Sequence, residues 1–520
     1  MSASKEKKIR KEQRNAADWV DTKAVKAENE KSTQKKTTFV FLVAAILFVA
    51  IGLFSIFFNS GTMQKSTPAV EINGESYSPA QVQYYYINAY QGFVNNYYDY
   101  LSYYGLSTST SLKLQECYLL EDGTWHDYFV DSAVSAMADT QALYESAQKN
   151  GYTWNDEFQA QYDEQMAAME SALANYNQAY STDMDMKGYL QMVFGSVMTE
   201  EAYKAELKRN ILASTYANDY KESLVYSDSE IEAGYEANRL EYDRVNYSLL
   251  RISATASTLD ADGKTITPTD ADKAAALADA KALAQELLEK AQKGETLKDL
   301  SSAYQKASLT TGDSGIYYES VFMDWLFDDA RKAGDLAILE DESYVYVVQF
   351  DERFRHEYNT VNVRHILLTG GTGSLTSEDA GYEQQQAMLK DLALAEAEAV
   401  LAQWRDTEPT EEGFAKLANE HSQDEGSNTT GGLYEQVYIG QMVDEFSQWC
   451  FEEGRQPGDT GVVYSDETGA HVIYFVGFDR PYWEILVRDA LTTEDYNAWY
   501  EAQTTGYEGV VNNFGMSAVG

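Results

Sequence analysis

Five histidines occur in the 520-residue chain, at positions 126, 356, 365, 421 and 471, and three of them fall within residues 361 to 479. His365 stands in "VNVRHILL" and His471 in "TGAHVI", stretches that read as strands. On neighbouring strands two such side chains can stand side by side on one face. Between them come Asp424 in the loop "HSQDEGSNTTGGL" and Met442 and Phe446 at helical i,i+4 spacing in "GQMVDEF", and Thr468 lies three residues before His471. Singly, each has an ordinary use: a strand histidine that is hydrogen-bonded, an aspartate before glycine that forms a turn, a Met/Phe pair in a core. Together they place imidazoles, a carboxylate and a hydroxyl beside an apolar pair. A His/Asp set also suits nucleophilic hydrolysis, but no Ser or Cys sits in a nucleophile motif beside it. Cys450, between two aromatics in "FSQWCFEEG", reads as a small buried side chain on a helix.

The elements that must position these residues occur twice. "VNYSLLRI" (245 to 252) echoes "VNVRHILL" (361 to 368), and "WLFDDARKAGD" (325 to 335) aligns without gaps on "WCFEEGRQPGD" (449 to 459). Residues 243–352 and 361–479 therefore share a fold. In each copy a strand leads to a long helix (Leu283, Leu287 and Leu288; Leu392, Val400 and Leu401), then a second helix, a Gly-rich loop, a short helix and a final strand. Strands at both ends with helices between give an α+β sandwich. The first copy has Leu249 where the second has His365, and Tyr346 where the second has His471.

Ahead of the repeat, "VEINGESY" reads as a strand pair around Asn73-Gly74, and Ser78-Pro79 as the start of a helix. From there to residue 242 the patterns are helical and rich in Tyr and Met, which suits either a core or an adaptable groove for unfolded chains. Residues 480–520 read as a C-terminal helical segment that could pack back on this lobe.

Residues 37–58, "TTFVFLVAAILFVAIGLFSIFF", carry no charge and are long enough to cross a bilayer as one helix. Before this run lie 11 Lys/Arg against 6 Asp/Glu, and after it 29 against 77. The basic tail, 1–36, is expected in the cytoplasm, with residues 59–68 as a linker and the bulk of the chain outside the cell. The net charge of −43 excludes a nucleic-acid partner, which needs a basic face. Two cysteines, Cys117 and Cys450, exclude a disulfide framework beyond one pair.

Residues 361–479 resemble the parvulin peptidyl-prolyl isomerases: "VRHILL", "FAKLANEHSQDEGS", "GQMVDEF", "QPGDTGVV" and "TGAHVI" occur in the family's order. The layout of the whole chain resembles the PrsA-type extracellular foldases and SurA-like chaperones. The resemblance implies an α+β class: a membrane anchor helix, an all-helical chaperone lobe at 69–242, a degenerate parvulin-like domain at 243–352 and an active one at 361–479. It implies that His365 and His471 are the paired active-site histidines, that Asp424 occupies the position filled by Cys or Asp, and that Thr468 is their hydroxyl partner. Leu433, Met442 and Phe446 would line the proline pocket, with "GGLYE" standing where the family has Gly-Gly-Asp-Leu-Gly. The implied partners are unfolded secreted polypeptides, and no cofactor or metal is called for. The loop after His365, "TGGTGSLTSEDAGYE", holds no Lys or Arg, so no preference for phosphorylated substrates is expected. The alternative is a holdase whose parvulin copies are scaffolds without catalysis.

Overall fold

A computed structural model describes residues 62–259 and 263–520. The basic tail 1–36 and the apolar run 37–58 lie outside the described residues. Among the described residues no helix is long and apolar enough to cross a membrane. The described chain forms two compact units, one of residues 62–225, 419–431 and 492–520, the other of 226–418 and 432–491.

The first unit is mainly helical. β1 (Val70–Ile72) and β2 (Glu75–Tyr77) pair through a turn in which Asn73 and Gly74 both take positive φ, the tight hairpin that Asn-Gly favours. Ser78 then caps α1 (Pro79–Asn96), accepting from the Gln81 N–H while the Gln81 side chain returns to the Ser78 N–H. α2 (Trp125–Lys149), α3 (Asp156–Tyr180), α4 (Met186–Phe194) and α5 (Glu200–Ser223) follow. Trp125, Phe129, Met137, Tyr86, Tyr90 and Tyr203 fill their common core. Glu206 is fully buried and accepts from Gln81 Nε2 at 2.6 Å and the Tyr85 hydroxyl at 3.0 Å, which offsets its desolvation. The tyrosines thus divide: six or more are interior, whereas Tyr98, Tyr100, Tyr103 and Tyr118 are exposed. Near the C-terminus, Tyr496, Trp499 and Tyr500 pack on Leu143, Ala213 and Ala217, Trp499 stacks on Tyr220 at 4.2 Å, and β11 (Gly509–Val511) pairs with β1.

The second unit opens with α6 (Asp228–Ala237) and then lays out two sheets of like order. The first holds β3 (Arg244–Ser253), β4 (Ala307–Gly315), β5 (Leu336–Glu340) and β6 (Tyr344–Phe354), ordered β4-β3-β6-β5. One face carries α7 (Asp270–Gln292) and α8 (Leu297–Ala303), the other α9 (Val321–Leu326). The second holds β7 (Asn359–Leu368), β8 (Leu433–Val437), β9 (Thr460–Ser465) and β10 (Gly469–Pro481), ordered β8-β7-β10-β9. Here α10 (Tyr382–Thr407) and α11 (Glu411–His421) cover one face and α12 (Asp444–Cys450) the other. α13 (Tyr482–Thr504) follows β10 directly. The sequence reading has strands only at the two ends of each copy; the inner, shorter strands are an addition.

The ungapped repeat now has a physical reason. In the first copy the Arg331 guanidinium lies 4.7 Å over the Trp325 ring, and in the second Arg455 lies 3.8 Å over Trp449. The Gly-Asp that closes each motif exchanges two backbone bonds with the last strand: Gly334 and Asp335 with Phe350, Gly458 and Asp459 with Phe475, at 2.8 to 2.9 Å. The same turn therefore sets the register of both hairpins, and Phe350 is the structural counterpart of Phe475.

Candidate active site

Alternation along β7 and β10 sends Val363, His365 and Leu367, with His471, Ile473 and Phe475, to one face. His365 stands opposite Ile473 and His471 opposite Leu367, so the two histidines are diagonal neighbours. Their Nδ1 atoms are 3.3 Å apart and their rings are stacked 5.5 Å apart at 18°. Both are buried, at 5% and 6% exposure. Thr468, in the turn between β9 and β10, places its Oγ1 2.8 Å from His471 Nε2. A neutral imidazole has one donor and one acceptor. The string is therefore satisfied in two ways: Thr468 donates to His471 and His471 to His365, or every donor is reversed.

The wall beside this string is aromatic. Phe446, from α12, meets His365 at 5.6 Å and His471 at 5.5 Å, both at 83°. Met442 packs in the same cluster. The structure thus brings His365, His471, Thr468, Phe446 and Met442 together.

Leu433 lies elsewhere. β8 pairs Leu433 with Arg364 and Tyr434 with Val363, which puts Leu433 on the face opposite His365 and Tyr434 on the same one. The Tyr434 ring stands 5.2 Å from His365 at 68°. The entry into β8 fixes this: the His365 N–H donates to Gly432 O at 2.8 Å, and a Cβ on Gly432, at φ +69°, would sit 2.2 Å from His365 O. Tyr434 is thus the β8 side chain beside His365, whereas the family resemblance pointed to Leu433.

Asp424 lies between α11 and β8 and organises its own loop. Its Oδ2 accepts from the Ser427 hydroxyl at 2.5 Å and its Oδ1 from the Gly426 N–H at 3.2 Å, while its carbonyl accepts from Ser427 and Asn428. Cys450 is fully buried behind Phe446, and burial pushes its thiol up to about 12, which removes it as a nucleophile at neutral pH.

Residues 352–477 match the model of the PPIC-type PPIASE domain. This stretch is a parvulin-type peptidyl-prolyl isomerase domain. No curated protein matches the chain. Among solved structures, PrsA from Bacillus subtilis is 14% identical, covering 74% of this chain and 86% of that one, with a TM-score of 0.23. The peptidylprolyl isomerase PrsA of Bacillus anthracis is 22% identical over 29% of this chain, with a TM-score of 0.17, and the match spans 58% of its length. The foldase protein PrsA of Streptococcus pneumoniae is 10% identical, covering 61% of this chain and 98% of its own, with a TM-score of 0.14.

The isomerase domain has an inner reference in the first copy, where the shared turn fixes the equivalences. Leu249 pairs with Val348 as His365 pairs with Ile473, and Tyr346 occupies the register of His471. Phe322 keeps the place of Phe446, with its ring 5.2 Å from Tyr346. The Tyr346 hydroxyl donates to Asp341 at 2.6 Å, so the turn-to-strand bond survives while the imidazole pair does not.

Proposed function

We propose that the chain is a membrane-anchored foldase that isomerises X-Pro bonds in secreted polypeptides, with its helical unit holding unfolded clients. The observation that carries the catalytic half is the bonded string Thr468, His471, His365 set against the Phe446 edge. Rotation about an X-Pro bond is opposed by amide resonance, about 18 to 20 kcal/mol, and no covalent bond has to break. In the twisted amide the nitrogen is pyramidal and the carbonyl less conjugated. An apolar grip on the pyrrolidine ring by Met442, Phe446 and Tyr434, over a floor of oriented imidazoles, favours that geometry over the planar one. Asp424 belongs to the polar set in this reading. The first copy, with Leu249 and Tyr346 in the histidine positions, is the non-catalytic member. The uncharged run 37–58, with its basic flank, supports the anchor, and the exposed tyrosines of the helical unit support client holding.

Refolding of a client with a native cis X-Pro bond tests the reading. The chain should accelerate the slow phase and lower aggregation together. Reduced aggregation with an unchanged slow phase would instead establish the holdase alternative. The full chain should stay in the membrane fraction through alkaline carbonate extraction; a full chain released by carbonate would overturn the anchor.

A further inference from the structure

The loop that carries Met442 is not held by the isomerase domain's own sheet alone. Residues 438 to 441 form a turn in which the Gln441 N–H donates to Tyr438 O at 3.1 Å and the Gln441 side chain accepts from the Tyr438 N–H at 3.1 Å. Gly440 supplies the positive φ of +84° that the third turn position needs. Tyr358, just before β7, and Tyr482, just after β10, close on this turn. The Tyr482 ring, from the first position of α13, stacks on Tyr438 at 4.7 Å and 19°. The Tyr358 ring stacks on Tyr482 at 5.5 Å and 23°. The Tyr482 N–H in turn donates to Tyr358 O at 2.9 Å.

The clamp rests on a rigid base. Trp483, next to Tyr482, is buried with Ile231, Tyr235, Tyr242 and Val487, and Arg355 lies 3.9 Å over its ring. Arg355 also pairs with Glu232 of α6 at 3.0 Å and Glu357 at 2.6 Å. Tyr482 therefore cannot drift without disturbing a packed core.

We propose that Tyr358 and Tyr482 are positioning residues for substrate binding: by clamping the Tyr438–Gln441 turn they set the place of Met442 in the proline pocket. The pocket of the second copy is thereby tied to the connector between the copies and to α13, so its affinity depends on chain outside the strands that carry the histidines. The inference rests on the isomerase reading for its effect on substrate, but the clamp itself is measurable without substrate.

Two readouts on the full chain test it. In the first, amide exchange at Gln441, whose N–H closes the turn on Tyr438 O, is followed in Tyr358→Leu, which removes the ring that stacks on Tyr482. Exchange should quicken by about threefold or more on loss of one aromatic stack. In the second, Tyr482→Leu should raise KM for a prolyl peptide by about three- to tenfold, the cost of one aromatic stack, with kcat within about twofold, and Tyr482→Phe should behave as wild type. Unchanged Gln441 exchange in a folded Tyr358→Leu, or an unchanged KM in a folded Tyr482→Leu, would overturn the proposal. If Tyr482→Leu does not fold, Tyr358→Leu alone decides. A wild-type chain without isomerase activity would sink the isomerase reading, and the exchange measurement would still settle the clamp.

Discussion

His365 and His471 approach through their Nδ1 atoms at 3.3 Å, from strands whose register makes them diagonal rather than opposite. Because only one of those two nitrogens carries the bridging proton, the bond ties the two tautomers together, and Thr468 at the far end of His471 takes part in the choice.

Thr468 should therefore matter through the imidazoles. Thr468→Val keeps the shape and removes the hydroxyl, which costs about 1 kcal/mol for one bond, or about a fivefold loss in kcat/KM. Thr468→Ser should retain most of the activity. Nitrogen NMR of the two histidines should show the tautomer of both rings change in the Val variant; unchanged spectra with lowered activity would mean that Thr468 acts on substrate directly.

The strand register makes a separate prediction. Tyr434→Ala removes a wall of the proposed proline pocket and should raise KM for prolyl peptides by about tenfold, whereas Leu433→Ala, on the opposite face, should leave KM within about twofold. Steady-state kinetics on the two variants distinguish them, and the reverse ranking would mean that β8 pairs one residue out of step.

His126 gives the helical unit a pH dependence. Its Nδ1 lies 3.0 Å from the Tyr86 hydroxyl, and burial, aided by Lys113 nearby, lowers it from 6.5 to about 4. The folded state thus favours the neutral ring. Its stabilisation is present above about pH 6.5 and is lost as pH falls towards 4, an effect on the order of 2 kcal/mol. Amide exchange in α2 should rise between pH 6.5 and 4.5 beyond the intrinsic change, and His126→Gln should flatten that dependence.

The sequence made the histidine pair, Thr468 and the Met442/Phe446 spacing readable, because strand alternation and helical i,i+4 spacing are local properties. The Asn73-Gly74 hairpin and the Ser78 cap were legible for the same reason. Tyr434 was not, since a shift of one residue in a strand exchanges its faces and that register is set by Gly432 against His365, far apart in the chain. β8 and β9 are short and sit beside loops, so their alternation is weak. The Tyr438–Tyr482 stack joins residues from separate elements, and nothing in either local pattern announces it.

The most direct test of the account is a prolyl-peptide isomerisation assay on the chain with the single change His365→Leu. The first copy already carries Leu249 at this register in a packed sheet, so the variant should fold, with an unchanged circular dichroism spectrum. A catalytic role for His365 predicts that isomerase activity falls by about tenfold or more while any aggregation suppression by the chain is retained. Activity equal to wild type in the folded His365→Leu chain would contradict it.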